Sequence, residues 1–378
     1  MRPPSDIGTV VIGGGIVGMC LAIFLADEGA DVAVLDEGRH AGTIANAGGL
    51  HVQLQSRFMR LYPEMVPAFE ETLPFYPLAV RHWERFAGRL GEDIELAITG
   101  GLMVAESAEQ YAFLEQKCRR EQQLGLKVEM LDRAALDRIA GYFSPAIIGA
   151  ELCADEGKVN PLLANQAIRR LALAKGVVHC PETRVTRLAR ADRSFTVETD
   201  RGTVRAGRVV IAAGSGSGKL GEQLGLNIPC HAEPLHMNIT EAAEPLIKHM
   251  VQHADRQITM KQLGAGQVVI GGGWPATLAG EREHPTVALD SMIGSLSLAQ
   301  HVVPRIANLR VIRTWAGVNT SVDGRPVVGP VNGIPGLFFA IPGDAGYTLG
   351  PLTARLVADT MLGRAPERDV SAYTADRF

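Results

Sequence analysis

The run Gly13-Gly-Gly15-Ile16-Val17-Gly18 satisfies the G-x-G-x-x-G spacing of a loop that holds a dinucleotide pyrophosphate. Gly13 permits the tight turn, Gly15 lets backbone approach the phosphates, and Gly18 lets the following helix pack closely on its strand. A helix opening at Ile16 and Val17 would point unpaired N–H groups and a positive dipole end at that anion. Asp36, ending the next apolar run, can accept hydrogen bonds from ribose hydroxyls; Glu37 competes for that role, and Arg39 completes the local candidates. The motif alone does not separate FAD from NAD.

These residues need a strand, a helix and a second strand to position them. Residues 9–12 form a short apolar run flanked by glycine, as in a buried parallel strand. Residues 16–28 are apolar on every side and close at Gly29, as a buried helix does, and 31–36 make the second strand. The stretch 51–144 changes character, with Pro63, Pro67, Pro74 and Pro77, helical segments over 78–90 and 108–124, and a β-like run over 94–105. The α/β pattern returns with a proline-entered helix over 161–175, then strands over 195–199, 203–205 and 209–213. Residues 229–313 are β-rich, including a strand over 267–270; 336–341 is a last strand, and a closing helix over 351–362 has Pro351 at its first position. The expected class is α/β. A Rossmann-like dinucleotide-binding domain (1–50, 145–228, 314–378) interleaves with an α+β substrate domain (51–144, 229–313) holding a mainly antiparallel sheet.

Composition narrows the function. The 378 residues allow two domains with ample cores, and a formal charge of −4 leaves no basic surplus to neutralise nucleic-acid phosphates. Five scattered cysteines, without a CxxC pair, offer neither a zinc ribbon nor an iron–sulfur ligand set and suit reduced thiols. His51, His231 and His236 lack metal-ligand spacing on a helix, so no metal is expected. The N-terminus lacks a signal-peptide pattern and the apolar run 16–26 is too short to span a bilayer, so a cytoplasmic protein is expected.

The loop Gly42-Thr43-Ile-Ala-Asn46-Ala47-Gly48-Gly49 resembles the flavin loop of the D-amino-acid oxidase superfamily, with Thr43 where serine is commoner. The resemblance implies FAD, with this loop along the isoalloxazine and ribityl chain. It also places Val185 and the Ala213-Gly214 end of a strand near adenine, although both suit plain sheet core and the family's tryptophan is replaced by Gly216. Trp315-Ala-Gly317, and Gly343-Asp344-Ala345-Gly346-Tyr347-Thr348, resemble the family's second flavin segment, whose helix favours negative charge on the reduced ring. Asp344 stands where the family often has histidine.

A flavin accepts hydride, so the protein mainly orients the substrate. A substrate carboxylate calls for arginine or lysine. The arginine that glycine oxidases carry shortly after Trp-Ala-Gly is absent, since this stretch reads Val318-Asn319-Thr320. Arg57, Lys261 and Arg325 are the replacement candidates; His51 and Gln53 follow the flavin loop, and Tyr347 and Trp274 can wall the substrate. Residues 45–58, 99–105, 154–161 and 260–274 resemble the β (B) subunits of hetero-oligomeric opine oxidase, D-hydroxyproline and proline dehydrogenases. That branch implies oxidation of a secondary amino acid, an α subunit, a small [2Fe–2S] subunit, and in some members FMN at the subunit interface.

Overall fold

The computed structural model describes residues 2–38, 42–280 and 284–378; Arg39 lies outside them. The central strand Asp6–Ile12 runs parallel to Val32–Leu35 on one side and to Gly202–Ile211 on the other. Val178–Cys180 extends this sheet beyond Val32–Leu35, and Leu337–Ile341 and Val327–Pro330 extend it beyond Gly202–Ile211. The strands Val32–Leu35 and Leu337–Ile341 are buried at every position, as a sheet covered on both faces requires.

Helix Ile16–Asp27 has ten of its twelve residues buried, which explains its apolar residues on every side. It is sandwiched between helices Gly346–Met361 and Pro161–Ala174, and Phe75–Leu90 packs on the far side of Gly346–Met361. The second sheet runs Val311–Ser321, His231–Ala242, Gln267–Gly271, Thr259–Gln262, Met250–His253, Gly101–Ala105, Gly149–Cys153, Val128–Asp132. All its pairings are antiparallel except Met250–His253 with Gly101–Ala105. Gly149–Cys153 and Val311–Ser321, placed wholly or partly with the dinucleotide segments on sequence, hydrogen-bond into this second sheet. Among the described residues no helix is long and apolar enough to cross a membrane.

Three local expectations are corrected. The strands expected at 203–205 and 209–213 are one strand, Gly202–Ile211, because Arg205 and Ala206 stay in register with Asp6 and Ile7. Of the run 94–105 only Gly101–Ala105 is a strand; Glu95 and Gly100 have positive φ, which breaks the extended ladder. The closing helix begins at Gly346, so Pro351 lies inside it. Proline has no N–H to give the carbonyl four residues earlier, that of Tyr347. The Trp83 indole N–H supplies the missing donor, at 3.1 Å from Tyr347 O and 3.2 Å from Thr348 O.

Candidate functional site

Gly13 turns out of the first strand with φ +113°, and a Cβ there would lie 2.3 Å from Ala212 O. A Cβ on Gly18 would lie 2.0 Å from Gly13 O, so helix and turn meet closely enough to exclude any side chain. A Cβ on Gly14 would strike the Asp36 carboxylate at 2.6 Å, which sets that half-buried acid against the glycine turn; Glu37 is exposed. Thr43 Oγ1 accepts from Ile16 N at 2.9 Å and caps the first turn of the helix from outside. Turn, helix start and Asp36 together fit the pyrophosphate and ribose of a dinucleotide.

The loop from Gly42 to Gly49 lies against the edge strand of the second sheet. Trp315 Nε1 donates to Ala45 O at 2.8 Å, and a Cβ on Gly317 would sit 2.3 Å from Ala45 Cβ. Asn46 Oδ1 accepts from Gly48 N at 2.6 Å, holding a turn in which Gly48 has φ +77°. The closing helix anchors the same loop twice. Tyr347 OH donates to Asn165 Oδ1 at 3.1 Å, and Asn165 Nδ2 donates to Thr43 O at 3.1 Å. Thr348 Oγ1 accepts from His51 N at 3.0 Å. Gly343 turns with φ +81° and leads through Asp344 and Ala345 into that helix at Gly346. Ala213 and Gly214 end the strand Gly202–Ile211, with Gly214 against Thr320, while Val185 pairs with Thr199 in a ribbon at the sheet margin. The glycine-lined gap between the two halves fits a flavin dinucleotide, since Cβ atoms at Gly48 and Gly317 would fill it.

Where this loop meets the second sheet, a small cavity is lined by Ala47, Gly49, His51, Met250, Thr259, Met260, Lys261 and Val269. The Lys261 amine is buried, and its nearest acceptor among the described residues is Val159 O at 3.5 Å. Burial, and secondarily Lys158, hold that amine well below the usual lysine range. Burial also pushes the His51 imidazole down to about 4; Lys261 adds to the effect and Gln252 opposes it. His51 Nδ1 is buried without a partner. Two cation-forming side chains therefore share a cavity whose lining holds no carboxylate.

The remaining candidates lie apart from this cavity. Tyr347 stacks on Trp83 with ring centroids 5.4 Å apart and spends its hydroxyl on Asn165, so it braces the flavin loop instead of facing substrate. Arg325 is engaged by Glu71, with Nη2 to Oε2 at 2.7 Å. Trp274 packs over Gly294 in a separate core cluster. Arg57 is half-buried on the short helix Ser56–Leu61 and does not line the cavity. Asp344 lines a second cavity with Tyr76, Thr72 and Thr353, where burial, then Glu233, raise its carboxyl to about 6. Asn165, Trp83, Gln252 and Glu156 escaped sequence reading; only Glu156 stood in a block singled out there.

Comparison with known proteins agrees with this geometry. The family model described as FAD dependent oxidoreductase (DAO) matches residues 9–360. The β-type chain of opine oxidase from Agrobacterium tumefaciens (strain Ach5) is 25% identical, covering 99% of this chain and 98% of its own. Glycine oxidase of Bacillus subtilis (strain 168) is 28% identical, covering 97% and 96%. The crystal structure of glycine oxidase from Geobacillus kaustophilus superposes with a TM-score of 0.88 at 22% identity, covering 99% of this chain and all of that one. With the cradle, the flavin loop and the closing helix in the family's arrangement, the chain belongs to the DAO family of FAD-dependent oxidoreductases.

Proposed function

We propose that this enzyme oxidises the C–N bond of a secondary amino acid, of the opine or the proline and hydroxyproline kind. We further propose that it works as the β-type subunit of a hetero-oligomeric dehydrogenase. The observation that carries the reading is the cavity in which Lys261 and His51 face each other across Gly49 and the methionines, with no acid among its lining residues. FAD, when bound, accepts the hydride that leaves the carbon next to nitrogen, so the substrate becomes an imine. For an opine, water then splits that imine into a 2-oxo acid and an amino acid.

The chain's own residues account for the rest. A substrate carboxylate supplies the counter-charge that Lys261 lacks, and its arrival favours the protonated amine. Lys261 is thus the anchor in place of the arginine missing after Gly317. A neutral His51 and a cation-forming Lys261 disfavour a second positive charge, so the bound amine is held unprotonated with its lone pair free to assist hydride loss. Met250 and Met260 give an adaptable apolar wall for the secondary substituent. The Asn165–Tyr347 and Thr348 contacts keep the flavin loop from moving away from that wall. The scattered buried cysteines offer no cluster of their own, in keeping with electrons leaving through partner subunits: an α subunit and a [2Fe–2S] subunit, with FMN at an interface. Support for the subunit reading is the likeness to an opine oxidase subunit over nearly the full length of both chains. The proposed division of labour assigns dinucleotide binding to 1–50, 145–228 and 314–378, and substrate binding to 51–144 and 229–313.

The test is anaerobic bleaching of the purified, FAD-loaded chain by a panel of opines, prolines and D-amino acids. Bleaching by a secondary amino acid, with dye reduction but little peroxide in air, supports the proposal. Rapid peroxide formation from glycine or D-amino acids would identify a stand-alone oxidase instead. A flavin that no amine bleaches would leave an electron-transfer subunit.

A further inference from the structure

The segment that carries His51 into the cavity has almost no backbone pairing. His51 N donates to Thr348 Oγ1, Val52 N and Gln53 N to Glu156 Oε1 at 2.8 and 3.1 Å, and Leu54 N to Glu121 Oε1 at 2.6 Å. Four successive amides thus end on side chains, three of them on buried carboxyl groups. Glu156 Oε2 accepts two more donors, Gln53 Nε2 at 2.9 Å and Gln252 Nε2 at 2.8 Å. Gln252 in turn accepts from Gln55 Nε2. Room for the carboxylate is made in the neighbouring strand, where a Cβ on Gly101 would lie 1.7 Å from Glu156 Oε2.

We infer that Glu156 is the positioning residue of the substrate face, holding residues 51–53 so that His51 is presented to the cavity. The inference rests on the site proposed above. Only a carboxylate meets the geometry, because all four of its neighbours are N–H donors. Glutamine in its place offers one accepting oxygen and turns its own NH2 toward the NH2 groups of Gln53 and Gln252. At least two buried donors then lose their partner, and the segment must shift to recover them. Lys117 does not compensate, since it is spent on Gln53 Oε1, Glu121 Oε2 and Glu151 Oε2 at 3.2, 3.0 and 2.7 Å.

The experiment uses the FAD-loaded chain, with benzoate as a carboxylate probe read by the flavin absorbance band and sulfite as a probe of the flavin alone. In Glu156→Gln, FAD content stays stoichiometric and sulfite affinity stays within about twofold. Benzoate Kd rises by about tenfold or more, and amide exchange over residues 52–54 accelerates by a similar factor. A merely structural role would lower flavin content and sulfite affinity together with benzoate binding. Unchanged benzoate affinity and unchanged exchange would overturn the inference. Should Glu156→Gln fail to retain FAD, Gln252→Met removes one of the four donors and must move exchange and benzoate Kd in the same direction; no movement again overturns it. His51→Ala and Lys261→Met separate the two levels. If neither weakens benzoate, the site reading fails; if both do and Glu156→Gln does not, only the positioning role fails.

Discussion

Lys261 is a buried cavity lysine with no acidic partner among the described residues, an arrangement that costs stability and so calls for an explanation from ligand binding. Replacing it with methionine keeps the volume and removes the anchor. Lys261→Met should weaken binding of the substrate carboxylate by about 10- to 100-fold, the worth of one charge-assisted hydrogen bond, with FAD still bound. Anaerobic titration of the flavin spectrum measures this, and unchanged affinity would remove Lys261 from the site. At the same scale, sequence reading found the right side chains but not their company. His51 and Lys261 were two of several substrate-facing candidates, and nothing local told them apart from Arg325, which ends on Glu71. Tyr347 was assigned a wall because it follows the flavin signature. Its place in the first turn of the closing helix aims it back at Trp83 and Asn165.

Two elements carry the site, and each depends on a contact outside itself. The closing helix tolerates Pro351 because Trp83, from another helix, donates to the carbonyl of Tyr347. Trp83→Phe should therefore cost about 1–3 kcal/mol, seen as a lower melting temperature, with a further loss of FAD as the Thr348 tie to His51 loosens. The flavin loop depends on the strand Val311–Ser321, against which Ala45 sits at a distance that leaves no volume at Gly317. Gly317→Val should expel or tilt the loop. The expected outcome is purified protein with substoichiometric FAD and near-normal far-UV circular dichroism; full flavin occupancy would show that the loop does not need this contact. Helix Ile16–Asp27 was legible from its composition, whereas the start of the closing helix was misplaced because proline normally marks a first turn.

Over the whole molecule, the buried ionisable groups pull stability in opposite directions with pH. Burial pushes Glu151 up to about 8, although Lys117 opposes it, and one of that lysine's two carboxyl neighbours suffices to balance its charge. A carboxyl raised in the folded state holds its proton there while the unfolded chain has released it. Its contribution is thus complete below the ordinary glutamate range and is lost as pH rises through about 8. His51 and His249, both pushed down to about 4 mainly by burial, act the other way: the unfolded chain binds their protons first, and stability falls as pH drops from about 6.5 towards 4. The difference in melting temperature between wild type and Glu151→Gln should move against the wild type between pH 6 and 9. A pH-independent difference would show that Glu151 is ionised throughout.

The amino-acid sequence alone determined what is local: the glycine turn, the buried helix behind it, Asp36 at the end of the next strand, and thus a dinucleotide cradle in an α/β fold. Those features lie within the first 36 residues, where spacing and side-chain size suffice to set backbone geometry. Tertiary structure alone decided which distant residues meet. Lys261 reaches the flavin loop because strand Thr259–Gln262 sits between Gln267–Gly271 and Met250–His253, and Glu156 reaches residues 52 and 53 because Gly101 makes room. Sheet register and the exclusion of volume by neighbouring chains set such meetings, and neither leaves a periodic trace in a single sequence.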